Sequence, residues 1–325
     1  MANLVSYKKD NVEITDFHNL KDIPDEMFEK LGSKMDLNSE YIARPSKSYW
    51  ADAWSRFRKD PLAMFGLCVV ILITLAAIFG PMFSEYTYDG QDIENGNQGP
   101  SAEHWFGTDK FGRDIFIRTL YGARISLTIG FVAAAINMVI GVIYGGISGF
   151  FGGRIDMIMM RIVDMLIGIP DLLYIILVML FLGNSLQSII IALCITSWIG
   201  TARIVRSQVI TLKHQEYALA ARCIGSSQFR ILFKHLFPNS MGPIIVTVTF
   251  LVPSAIFAEA FLSFLGIGIQ VPIASWGTLV NDAIPTIFTE PYQMLFPALA
   301  ISITMFSLNF IGDGLRDALD PRLKK

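Results

Sequence analysis

The chain has 325 residues, of which 53% are hydrophobic and 17% charged, and its formal net charge is −2. A soluble domain of this length carries about 25% charged residues, and the mean hydropathy of +0.49 says that one aqueous solvent does not suit the whole chain. Nothing in this balance points to a nucleic-acid partner, and three isolated cysteines (Cys68, Cys194, Cys223) have no metal-ligand spacing and cannot all pair.

Residues 1–44 are rich in Lys, Asp and Glu and read as a cytoplasmic extension, partly helical around Asp25–Lys34. They lack the apolar stretch and small-residue cleavage site of a signal peptide. Residues 45–61 follow, with Trp50, Trp54 and Phe57 at i, i+4 and i+7. A helix there presents one aromatic stripe, as expected of a helix lying in the membrane interface.

A helix crossing about 30 Å of hydrocarbon needs roughly 20 mainly apolar residues. Within 62–325, six stretches meet that length: 62–83, 126–150, 157–182, 186–205, 243–267 and 293–311. The fifth carries Pro253 and Glu259 and the sixth Pro297 and Asn309, breakers tolerated where a helix packs on protein. Lys and Arg concentrate before the first span, in 152–161, in 203–239 and after the last span. By the positive-inside rule both termini are then cytoplasmic, and segment 84–125 lies outside. The sequence thus predicts an all-α integral membrane protein of six spans in the plasma membrane, with the lipid bilayer as its solvent.

The cytoplasmic loop 206–240 carries the most information. Glu216 to Ile224 reads as a short helix, acidic at its start and stopped by Gly225. Ala218, Ala220, Ala221 and Gly225 keep its surface slim, open to a close approach by another protein's groove. A second helix runs from Ser226 or Ser227 to Pro238. Helix, glycine break, helix makes a knob protruding from a membrane bundle.

Ala220-Ala221, Gly225 and Pro238 match the spacing of the EAA loop of ABC importer permeases. Three further blocks resemble the C-type permease subunit of dipeptide, oligopeptide and nickel importers. They are His104-Trp-Phe-Gly-Thr-Asp-Lys-Phe-Gly-Arg-Asp-Ile-Phe-Ile-Arg118, Glu259-Ala-Phe-Leu-Ser-Phe-Leu-Gly-Ile-Gly268, and Leu308-Asn-Phe-Ile-Gly-Asp-Gly-Leu-Arg-Asp-Ala-Leu-Asp-Pro-Arg322. The resemblance covers the chain from about Trp50 to its end. It departs at Leu219, where the family has Glu, while Glu216 lies one turn earlier.

This resemblance implies the type I ABC importer permease fold in a bacterial plasma membrane. It implies Glu216, Tyr217, Ala220, Ala221, Arg222, Gly225 and Pro238 as the ATPase-coupling residues. It also implies a homologous permease subunit, two cytoplasmic ATPases that carry ATP and Mg, an extracellular substrate-binding protein and a peptide substrate. Nickel or another small solute is the alternative cargo, and an ion-gradient-driven transporter the rival mechanism. No Gly-x-x-x-x-Gly-Lys-Ser/Thr loop occurs, so no ATP hydrolysis, cofactor or metal is expected of this chain itself.

Ionisable groups inside spans are costly and therefore candidates for function. Asp164, able to pair with Arg161, and Asp171, seven residues on and facing roughly the same way, sit on the third span; Asp171 follows Pro170, a point where that helix can break, and Glu259 sits on the fifth. Asp109, Arg113 and Asp114 suggest an ion pair shaping an outer cap, or a contact with the binding protein.

Overall fold

The computed structural model of the protein describes residues 48–270 and 272–320, with the backbone of Lys8–Lys9 and Val12–Glu13. Those two short strands, β1 and β2, pair antiparallel with Lys8 opposite Glu13, within a unit (1–47) separate from the rest. The helix expected around Asp25–Lys34 lies outside the described residues. Among the described residues of the second unit, the regular structure is helical, apart from an isolated Thr108–Asp114 bridge.

Helix α1 (Tyr49–Phe57) is capped by Ser48, and α2 (Pro61–Phe79) starts on an Asp60 cap with proline in its first turn. The aromatic stripe of α1 divides. Trp50 and Trp54 are half exposed, whereas Phe57 is buried against Ala63 and Ala318. Tyr49 Oη and Arg56 Nη1 donate to the backbone oxygens of Leu319 and Asp320, so α1 also holds the last described turn of the chain.

Among the described residues, five helices are long and apolar enough to cross a membrane. They are Pro61–Met82; α3 (Ile115–Phe151); α6 and α7 (Leu186–Thr196 and Trp198–Leu212, read as Leu186–Leu212); Gln228–Phe264; and α12 (Tyr292–Leu319). The third expected span, 157–182, is not one helix. It breaks between α4 (Gly153–Ile167) and α5 (Asp171–Leu182), which meet at 80°, and only if this pair counts as one span are there six. The cause is local: Pro170 lacks an N–H and forces Ile169 out of the helical region, just after the terminating Gly168.

Other boundaries differ too. Helix α3 begins at Ile115 rather than 126, because Asp114 caps it and its polar first turns find partners. The fifth span begins at Gln228 rather than 243, running through α9 (Gln228–Arg230), a π-turn (Ile231–Leu236) and α10 (Phe237–Phe264). The wider turn lets the chain reach Pro238 without the clash a tighter helix would force.

The centre of the bundle is the α3–α7 contact. Gly141, Gly145 and Gly149 form a stripe on α3 that lets the α7 backbone approach closely. A Cβ on Gly149 would sit 2.7 Å from the Arg206 carbonyl oxygen, and one on Gly145 would strike that of Ala202. At the end of this contact Arg206 grips Asp156 through both nitrogens (2.5 and 2.6 Å), and Lys213 Nζ donates to Gly149 O (2.8 Å).

Candidate functional site

Helix α8 (Glu216–Cys223) stands between α7 and the fifth span. Gly225, at φ +79°, closes it, its N–H donating to Arg222 O (2.9 Å) while that of Ser226 reaches Ala221 O (3.0 Å). This double bond is the Schellman arrangement, and it suits glycine because no other common residue enters that backbone region freely. No atom lies within 4 Å of where a Gly225 side chain would begin.

Half of the slim surface turns inward, while Ala220 and Gly225 stay exposed. Ala218 and Ala221 are buried among Phe150, Val205, Val209, Ile231, Leu232 and Leu236, so they seat α8 on its own bundle rather than opening it to a partner. Glu216, Tyr217, Leu219, Ala220, Arg222 and Ile224 face out, Ile224 at 83% exposure. Pro238 is also exposed, in the first turn of α10. Burial pushes the Tyr217 phenol above its ordinary value, against a smaller effect of its hydrogen bond to Asn239.

At the opposite end of α3, residues 84–114 fold into a cap. Arg113 pairs with Asp109 (2.6 Å) and Asp282 (3.3 Å), not with Asp114 as its sequence position suggests. Asp114 instead caps α3 through the Ile117 N–H and holds His104 Nδ1 at 2.9 Å. The fully buried Arg118 lies between Asp109 and Asp282 as well. Arg113 and Asp114 are themselves buried, so both are engaged inside the cap and present no surface to a binding protein. Asp282 closes α11 (Trp276–Asp282), the short helix that docks under the cap.

Glu259 is fully buried. Its carboxyl oxygens accept from Ser126 on α3 and Ser263 on α10, both at 2.9 Å, and Ser126 Oγ accepts the Trp276 N–H at 3.3 Å. It therefore joins α3, α10 and α11 and does not line an open path. Asp164 pairs with Arg203 at 2.8 Å rather than with Arg161, and half the pair is exposed. Asp171 begins α5 beyond the bend, so it does not share a helix face with Asp164. With Thr196, Ser197 and Arg203 it lines a cavity of about 420 Å³ at the break. Among the described residues no group of three or more His, Cys, Asp or Glu could hold a metal ion.

Residues 137–325 match the family described as the binding-protein-dependent transport system inner membrane component. The chain belongs to this family. Residues 48–100 match a second family, the N-terminal transmembrane domain of oligopeptide transport permease C. The oligopeptide transport system permease protein OppC of Bacillus subtilis is 54% identical over 306 residues, covering 94% of this chain and all of that one. The dipeptide permease DppC of the same organism is 52% identical over 304 residues, 93% of this chain and 95% of that one. The glutathione transport system permease protein GsiD of Escherichia coli is 40% identical over 291 residues, 89% and 96% of the two chains.

In fold, this permease matches a chain of the inward-facing MetNI methionine ABC transporter, with TM-score 0.50 and 18% identity over 62% of this chain and 96% of that one. It is a multi-pass protein of the bacterial plasma membrane with the type I ABC importer permease fold. Permease subunits of this family are not themselves the catalytic ones.

Sequence reading did not single out Asp156–Arg206, Arg118–Asp282 or the Gly141/Gly145/Gly149 stripe. The glycines at four-residue spacing were a visible signal. The two ion pairs bring together residues 50 and 164 positions apart and carry no local signature.

Proposed function

We propose that this permease couples ATP hydrolysis on two partner subunits to the import of di- or oligopeptides, with α8 as the element that the ATPase grips. It pairs with a homologous permease subunit, and the solute passes along the face that carries the α4–α5 bend. The α8 end and both termini lie in the cytoplasm, while the cap faces an extracellular binding protein that delivers the peptide. ATP and Mg sit on the ATPases, and this chain carries no cofactor.

The observation that supports the reading most is the build of α8. Its outward face offers Leu219, Ala220, Arg222 and Ile224, and its inward face is locked into the cluster where α3, α7 and α10 end. A force applied to it therefore reaches the spans without loss in a flexible loop. Alternating access then needs only two packings of the bundle, biased by nucleotide on the partners. The names of the OppC, DppC and GsiD relatives support a peptide-like cargo.

The test is a pair of variants in the complex purified with its operon partners. In Gly225→Ala only the backbone conformation is disfavoured, by about 1 kcal/mol. Gly225→Arg adds a long charged side chain where the ATPase would sit. We expect binding-protein-stimulated ATPase activity to survive Gly225→Ala and collapse in Gly225→Arg, with membrane insertion intact in both. Stimulated hydrolysis of equal strength in the two variants overturns the assignment.

A further inference from the structure

Two cavities adjoin beside α8, and the coupling just described touches them only at Arg222, which the first shares with the outward face of α8. The first, of about 520 Å³, is lined by Lys213, His214 and Arg222, with Ser226 and Gln228 as further polar groups. No Asp or Glu lines it. The second, of about 290 Å³, is an apolar slot between α3 (Ile143, Ile147) and the start of the fifth span (Leu232, Phe233, Phe237). Phe150, Phe151 and Gln228 line both, so the two are adjacent.

Their position is that of a lipid. Helix α3 has 37 residues, about 55 Å, and exceeds the hydrocarbon thickness. Phe150 and Phe151 close the packed α8 end of this helix. Ile143, Phe151, Phe229 and Phe233 are exposed around the slot, a cost that acyl chains would remove and water would not.

The chemistry of the first cavity selects an anion. Lys213 Nζ is fixed by its bond to Gly149 O (2.8 Å), which leaves two of its three N–H groups for a ligand. The Arg222 guanidinium lies over the Phe150 ring at 5.9 Å and keeps its edge free to chelate an oxyanion. Basic pockets between spans on the cytoplasmic side are built to take lipid head groups. We propose that the adjacent cavities hold one anionic phospholipid, its phosphate between Lys213 and Arg222 and an acyl chain in the slot. The phosphate alone could come from solution, but only a lipid fills both halves. This site rests on the membrane-spanning fold and on the cytoplasmic placement of α8 proposed above, but it does not need an ATPase to grip that helix.

The test is lipid retention, read by native mass spectrometry of the whole complex in detergent, with phosphatidylglycerol and phosphatidylcholine as probes. One phosphatidylglycerol per copy of this chain is expected to remain, and phosphatidylcholine is expected to wash off. Lys213→Gln with Arg222→Gln should weaken retention about twenty-five-fold, at about fivefold per basic residue. Ile147→Trp, which plugs the slot and leaves the charges alone, should abolish it as well. Thermal stabilisation of the unmodified complex by each lipid and by inorganic phosphate gives a reading that needs no variant. Equal stabilisation by inorganic phosphate, with Ile147→Trp without effect, makes this a free-phosphate site and overturns the proposal. Absence of lipid from the complex while the isolated chain retains it means that a partner subunit fills the cavity, and overturns it too.

Discussion

Gly145 and Gly200 allow one substitution to be read twice. In Gly145→Ala the new methyl would meet the Ala202 carbonyl oxygen, with the Ala202 carbonyl carbon next at 2.9 Å. Those atoms belong to the α7 backbone, so no side chain can swing aside and the helices must part. Overpacking of this kind costs about 1–3 kcal/mol, and parting also stretches the Arg206–Asp156 and Lys213–Gly149 contacts at the same seam. In Gly200→Ala, on α7 itself, the methyl meets nothing within 4 Å. There the loss of glycine's unfolded-state entropy dominates, worth about 0.5–1 kcal/mol in favour of the folded protein. Thermal unfolding of the two variants, followed by size-exclusion chromatography of the detergent-solubilised complex, should move midpoints in opposite directions. A Gly145→Ala protein at least as stable as the unmodified one would refute the reasoning that backbone contact at this stripe sets the helix spacing.

Further outcomes follow from the polar contacts. Asp282→Asn leaves the buried Arg118 with Asp109 as its one carboxylate, a loss of about 3 kcal/mol; limited proteolysis should then cut within 84–114, and an unchanged digestion pattern counts against the cap as built. Glu259→Gln keeps an acceptor between Ser126 and Ser263 and should cost about 1 kcal/mol, whereas Glu259→Ala strands both hydroxyls and opens a cavity, at about 2–4 kcal/mol. Denaturation midpoints distinguish the two, and equal values would mean that the hydroxyl network is not what holds α11. Asp164→Ala breaks a half-exposed pair and should shift stability by less than about 1 kcal/mol, so a large loss in the same assay would show that the pair is buried in the assembly.

Much of the fold was legible because the bilayer asks for one thing, about 20 apolar residues, and five of the six stretches supplied it. At Gly168-Ile-Pro170 the proline marked a point where the helix can break, but composition did not give the 80° between α4 and α5. Termini were misjudged where polar residues continue a helix: Arg118 and Arg124 look like loop residues, yet one is neutralised by Asp282 and the other donates to Ala77 O and Ile78 O of α2. The α8 knob was legible from Glu216 and Gly225, because caps are local chemistry. Which alanines faced inward was not, because that depends on Ile231 and Leu236 across a turn. Asp109, Arg113 and Asp114 stand together in the sequence; the folded cap keeps Asp109 as the partner of Arg113, sets Asp114 aside, and adds the distant Asp282.

The inward seating of Ala218 and Ala221 has a mechanical consequence. A crank that rocks on its shaft wastes part of each stroke as backlash, and the two alanines are what remove the backlash here. Neither methyl can be lengthened without lifting α8 off Ile231 and Leu232, nor shortened without letting it rattle. On the coupling role proposed for α8, a permease loosened at this joint would still dock its motor and still burn fuel, while the spans above stood idle.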